Sequence, residues 1–230
     1  MTRAPAILAG VPIEEVRNPY LIAFLDFTGE EKEYSFGLEE LFKEATGFDC
    51  GPDRVSLPPM PEVSAYIVSS KIYVEDAVKR CKLPITEKEI ADVLKEFDEV
   101  LFPSQATEAL RRASLKGSPL LFRKGEREVP IEFPTLKARL VAEHALPEGI
   151  FYIDDSLIHL AGYLPLELYE TRDLKLLRVD NYLWQVVYNV RAPPRDDWKL
   201  IWDNDKVATV EIVDLEQEAG AHRDNPLRES

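Results

Sequence analysis

Tyr182-Leu183-Trp184-Gln185-Val186-Val187-Tyr188-Asn189-Val190-Arg191-Ala192 decides how this chain is read, together with the stretch just beyond it, Trp198-Lys199-Leu200-Ile201-Trp202-Asp203-Asn204-Asp205-Lys206-Val207-Ala208-Thr209-Val210. Period-two alternation puts Tyr182, Trp184, Val186, Tyr188 and Val190 on one face, the pattern of a half-buried strand over 182–192. In the second stretch Asp203-Asn204-Asp205 is turn chemistry between strands at 198–202 and 206–214, a hairpin signal. Trp198, Leu200 and Trp202 share one face of it. Upstream, 120–123 and 128–133 flank Lys124-Gly125-Glu126 and predict another hairpin. Only 135–145, with Leu136, Leu140 and Val141, reads as a helix in this half.

The first half carries helical periodicity. Thr86 and Glu89 form a capping-box pattern, in which each side chain satisfies an amide of the first turn. Ile90, Val93, Leu94, Phe97, Val100 and Leu101 then recur on one face, and Pro103 ends a helix over 87–101. Further helices are predicted at 38–46, closed by Gly47, at 74–82, and at 105–115, closed by Gly117. Strands are predicted at 20–27, 32–36 and 65–69. The expected fold class is therefore α+β, with a helix-rich N-terminal half packed on a mainly antiparallel β-sheet C-terminal half. The expected organisation is one domain over 1–217, with a soft internal boundary near 117 and a flexible tail at 218–230.

The chain has 230 residues, 45% of them hydrophobic, and a net charge of −14. That apolar content excludes a disordered chain. Two cysteines, Cys50 and Cys81, exclude a disulfide scaffold and are read as reduced thiols of a cytoplasmic protein, although spacing alone leaves their pairing open. The longest apolar run, Tyr20-Leu21-Ile22-Ala23-Phe24-Leu25, is far short of the ~20 residues of a membrane span. The apolar start is broken by Pro5 and Pro12 and followed by Glu14 and Glu15, so it is not read as a leader. The acidity disfavours nucleic acid and anionic lipid, whose affinity comes largely from phosphate contacts, and it favours a basic protein partner. Residues 111–139 are the exception, with 8 basic against 3 acidic side chains. Arg111, Arg112, Arg123 and Lys124 are accordingly the candidate anion- or partner-binding residues.

Tyr152-Ile153-Asp154-Asp155 resembles the YxDD signature of reverse transcriptases, in which a turn presents paired aspartates to two magnesium ions. The resemblance spans four residues and implies a divalent-metal role for Asp154 and Asp155. His159, one helical turn on, is the candidate third ligand. The alternative for Asp154 or Asp155 is to cap a following helix. No HExxH pair, G-x-S-x-G elbow, Walker sequence or G-x-G-x-x-G occurs, and no cofactor is expected. Trp198 and Trp202 are candidate interface aromatics, because Trp is enriched at binding hot spots. The leading expectation is a non-enzymatic, acidic interaction protein (an inhibitor, antitoxin-like protein or adaptor) that binds a basic partner. Two alternatives remain. One is a metal-dependent hydrolase or nucleotide-acting enzyme using Asp154 and Asp155, with Asp203 or Asp205 and an anion held by Arg111 or Arg123. The other is a subunit of a viral or secretion assembly. The oligomeric state stays open.

Overall fold

Tyr20-Leu21-Ile22-Ala23-Phe24-Leu25 contains no polar residue because the strand it forms is buried on both faces. The computed structural model describes residues 1–13, 16–147 and 154–213. The elements are strands β1 (Thr2–Ala9), β2 (Tyr20–Phe27) and β3 (Lys32–Tyr34), helix α1 (Leu38–Thr46), strand β4 (Val55–Leu57), helices α2 (Glu62–Arg80), α3 (Glu87–Leu101) and α4 (Gln105–Lys116), strands β5 (Leu120–Phe122), β6 (Val129–Pro130) and β7 (Leu136–Ala145), helices α5 (Asp155–Thr171) and α6 (Leu176–Tyr188), and strands β8 (Trp198–Asp203) and β9 (Lys206–Ile212).

β2 organises the sheet. One edge pairs antiparallel with β1 along its whole length, with Ile7 opposite Ile22. The other edge is shared. β5 runs antiparallel to Tyr20–Ile22, and β7 runs parallel to Leu25–Phe27. The main order is β6-β5-β2-β7-β9-β8, and β3 and β4 form a separate ribbon. Tyr20, Ile22 and Phe24 face a core built with the helices. Leu21, Ala23, Leu25 and Phe27 face a second core that includes Ile201, Ala208, Val210 and Ile212. A strand covered on both sides reads as a continuous apolar run rather than an alternating one.

This arrangement overturns the expected helical N-terminal half and antiparallel C-terminal sheet. Strands begin at residue 2, β2 sits at the middle of the sheet, and the β2–β7 pairing is parallel. The result is a curled mixed sheet, a half-barrel with helices against it. β1 is weakly signalled because it contains small residues and Pro5. A proline fits there because β1 pairs on one edge only, so its missing N–H costs no ladder bond.

Three segments change type. Residues expected as a strand at 182–192 lie largely in α6. Leu177, Asp180, Leu183, Trp184 and Val187 are its buried face, a helical spacing that outweighs the strand propensity of Tyr, Trp and Val. The expected strand at 65–69 lies inside α2, whose buried residues run from Val63 to Ala77. The expected helix at 135–145 is β7. Leu136 and Ala138 are buried while Lys137 and Arg139 are exposed, so the period-two signal was present beneath good helix formers. The hairpins 120–130 and 198–212, the helices at 38–46 and 105–116, and the capping box of α3 are observed. Cys50 and Cys81, read as reduced, form a disulfide that ties the loop after α1 to the end of α2. Among the described residues no helix is long and apolar enough to cross a membrane.

Two buried polar clusters lock helices in place. In the first, the Arg111 guanidinium bonds Asp98, the Ile67 carbonyl and Ser70 Oγ, and the Tyr66 hydroxyl donates to Asp98 at 2.7 Å. This joins α2, α3 and α4. In the second, Asp180 on α6 accepts from the Gly10 amide at 2.8 Å and from Lys199 Nζ on β8 at 2.6 Å. Gly10 has φ +104°, and a Cβ there would lie 3.0 Å from the Pro19 carbonyl and the Tyr20 ring, so only glycine fits. Burial pushes the Lys199 amine down, and the Asp180 carboxylate opposes that shift. Asn181 completes the junction, accepting from Leu200 N and donating to the Trp198 carbonyl. Lys199→Met leaves a buried carboxylate without its counter-charge and is expected to cost about 3–5 kcal/mol in urea unfolding. Asp180→Asn in the same chain is expected to recover part of that loss. A double variant as unstable as the sum of the singles would contradict the pairing.

Candidate functional site

The paired aspartates fall at the start of α5. Asp154 is its N-cap and accepts from the Leu157 amide at 2.9 Å, which satisfies one of the first-turn donors. Asp155 is exposed. His159 Nδ1 lies 2.6 Å from the Asp155 carbonyl oxygen, so Nδ1 carries the proton and the ring is held by backbone. Among the described residues no group of three His, Cys, Asp or Glu side chains is placed to hold a metal ion. Tyr152 and Ile153 lie outside the described residues, as does the tail at 218–230.

The basic stretch is largely engaged with its own carboxylates. Arg111 is buried on Asp98. Arg112 pairs with Glu108 and Glu128, and Lys116 with Glu128. Burial pushes the Glu128 carboxyl up, but its own amide, Lys116 and Arg112 outweigh this and hold it down at about 2. Arg123 donates to the Arg17 carbonyl and pairs with Glu126. Lys124 is exposed in the β5–β6 turn. The four candidates are thus distributed among the core, an ion-pair cluster and a turn. Trp202 is 7% exposed and belongs to the core, and Trp198 is half-buried beneath the Arg195 guanidinium.

The exposed aromatic residues lie elsewhere. α5 and α6 pack on each other and against the sheet, with Ala161, Leu164, Leu168, Leu183, Trp184 and Val187 inward. Gly162 and Asn18 fit α5 to the β1–β2 connection. A Cβ on Gly162 would meet Asn18 Oδ1 at 3.0 Å, and Asn18 donates to the Ile158 carbonyl. Outward, Leu160, Tyr163 and Leu166 recur along α5, and Tyr182 and Val186 along α6. Tyr163 is 56% exposed and Tyr182 62%. The Tyr163 hydroxyl donates to Glu167. The strand reading hid this surface. It placed Tyr182 on the same face as Trp184, whereas the helix turns Tyr182 and Val186 outward and Trp184 and Val187 inward.

A carboxylate occupies the start of α2. The helix begins after Pro61 without a side-chain cap of its own. Asp203, in the β8–β9 hairpin, accepts from the Glu62 and Val63 amides at 2.9 and 2.7 Å. It does the work of an N-cap from far along the chain. Burial pushes the Asp203 carboxyl up to about 7. The two α2 amides oppose this, and the neighbouring Glu143 carboxyl on β7 adds to it through a hydrogen bond and like charge. Lys206 bonds Glu62 at 2.8 Å on the same corner.

No known protein family matches the chain, and no curated protein matches it. Among solved structures the chain is similar to a mevalonate kinase from methicillin-resistant Staphylococcus aureus MRSA252. The identity is 11%, with 92% of this chain and 90% of that chain covered, and the TM-score is 0.53. At that identity the likeness concerns the fold alone.

The Asp203 corner has a definite pH signature. A carboxyl whose folded pKa is raised binds its proton more tightly in the folded state than in the unfolded chain. Its stabilisation is complete below about pH 4, the ordinary carboxylate value, and is lost as pH rises through about 7. Asp203→Asn keeps one of the two acceptors for the α2 amides and a donor for Glu143, and it removes the titrating group at the cost of one amide bond. Melting temperature is expected to fall less between pH 5 and 8 in Asp203→Asn than in the wild type. Parallel curves would contradict the assignment.

Proposed function

We propose that this chain is a non-enzymatic protein-interaction protein that binds a basic protein partner. The observation that carries this reading is the set of exposed aromatic and apolar side chains on α5 and α6, Tyr163 and Tyr182 foremost, on a chain of net charge −14. Exposed tyrosines among aliphatic side chains supply large contact area at low entropic cost. The overall negative field speeds the approach of a basic partner and discourages nucleic acid.

The candidate catalytic groups support the same reading through the work they already do. Asp154 caps α5, and Arg111 and Arg112 are paired with internal carboxylates. A helix N-terminus is a ready anion site in many phosphate-binding proteins, and at α2 that position is filled by Asp203. The mevalonate kinase likeness is one of backbone course, and an activity on a phosphorylated compound does not follow from it. A cytoplasmic location belongs to this reading. The Cys50–Cys81 bridge weighs against it in a mesophile and agrees with it in a hyperthermophile, whose intracellular proteins are rich in disulfides.

Affinity capture from the source organism at low salt tests the proposal. A basic protein is expected to be retained by the wild type, released as salt rises, and lost with the Tyr163→Ser, Tyr182→Ser variant. Those residues are exposed, so folding should be unaffected. A melting-temperature rise with magnesium or manganese and a nucleotide, abolished in Asp154→Ala, Asp155→Ala, would contradict the proposal in favour of the metal-dependent enzyme.

A further inference from the structure

A groove of about 310 Å³ opens where α2 and α4 lie over β1 and β2. Its apolar lining includes Phe24, Val68 and Ile72. Two cations enter it from different elements. Arg3, on β1, lays its guanidinium over the Phe24 ring at 4.2 Å, and among the described residues it has no carboxylate partner. Lys71, on α2, uses one donor on the Ser114 carbonyl at 3.0 Å, near the end of α4. Glu75, one turn beyond Lys71, is the acidic residue of the lining. The lining thus brings two cations and one carboxylate together, and Asp26 stands opposite Arg3 on β2 without an ion pair to it.

We propose that this groove binds a small organic monocarboxylate with an apolar body. The apolar side chains of Val68 and Ile72 accept the body, and Phe24, buried beneath the Arg3 guanidinium, forms the floor. Arg3 offers a planar fork matched to a carboxylate, and Lys71 keeps two further N–H donors for the same group. Glu75 disfavours a ligand carrying more than one negative charge, because the second charge faces a carboxylate rather than a cation. The volume is at the small end of the range for small-molecule sites, so the ligand is a compact acid. This ligand site lies on elements other than α5 and α6, so it goes beyond the partner-binding reading and stands or falls separately from it.

Matched probes separate the contributions. 4-Phenylbutyrate, 4-phenylbutanol and 4-phenylbutylamine share an apolar body and differ in the head group, and inorganic phosphate supplies charge without a body. Titration calorimetry and thermal shift are expected to show saturable binding of 4-phenylbutyrate alone. Affinity is expected to fall at least tenfold in Arg3→Met and further in Arg3→Met, Lys71→Met. Lys71 also caps the end of α4, so the unliganded melting temperature of each variant is measured alongside. Arg3 is exposed, so its single variant isolates the ligand contact. Equal binding of the alcohol or the amine would overturn the proposal in favour of a merely greasy groove. Binding of phosphate alone would overturn it in favour of a plain anion site. Absence of any shift, or binding that survives both substitutions, would overturn it outright.

Discussion

The fold depends on one buried carboxylate, Asp180, held at the meeting point of three elements. It accepts from the Gly10 amide at the end of β1 and from Lys199 on β8, while its own backbone belongs to α6. Two charges taken out of water attract each other strongly but lose their hydration, and only full hydrogen bonding makes the exchange acceptable. That condition fixes geometry. The helix cannot slide along the sheet without leaving Lys199 unpaired, and β1 cannot end elsewhere without orphaning the Gly10 amide. Asn181, beside it, bonds the β8 backbone on both sides, so one turn of α6 sets both the height and the rotation of the helix. The exposed aromatic surface follows from that rotation: with Leu183, Trp184 and Val187 inward, Tyr182 and Val186 must point out.

The same logic accounts for the fate of the charges. Arg111, Asp98, Lys199, Asp180 and Asp203 are all buried. Each joins different elements of the fold, and two of them, Arg111 and Asp203, are among the residues the sequence offers for an enzyme. Their partners are other parts of the chain. Among the described residues, exposed apolar side chains lie along α5 and α6, and a small groove lined by Arg3 and Lys71 opens beside α2.

Local signals were legible in the sequence where one interaction range decided the outcome. The capping box at Thr86 and Glu89, the glycines after α1 and α4, and the Asp203-Asn204-Asp205 turn act within a few residues. Reading failed where long-range pairing decided. β1, with Pro5 and several alanines, is a strand because it lies along β2. Residues 135–145 carry helix-forming side chains but become β7 because β2 and β9 flank them. For 182–192, aromatic and β-branched composition suggested a strand, and the helical spacing of Leu177, Leu183, Trp184 and Val187 was the stronger fact. The sequence singles out Trp198 and Trp202 because Trp is enriched at binding hot spots; their strand is observed, but Trp202 lies in the core and Trp198 is half-buried, whereas Tyr163 and Tyr182 face solvent. Asp180 and Lys199, 19 residues apart in sequence, gave no motif at all, since nothing in spacing reveals a pair that meets through tertiary packing.

Native-state hydrogen exchange of the Gly10 amide tests the central claim most directly. If the Asp180 junction holds the sheet and helices together, this amide opens only when the whole molecule unfolds. Its exchange free energy should then match the global unfolding free energy and follow it through a urea series. An amide that exchanges through a local fluctuation, well below the global value and insensitive to urea, would show that the junction opens while the fold persists, and the account would be wrong.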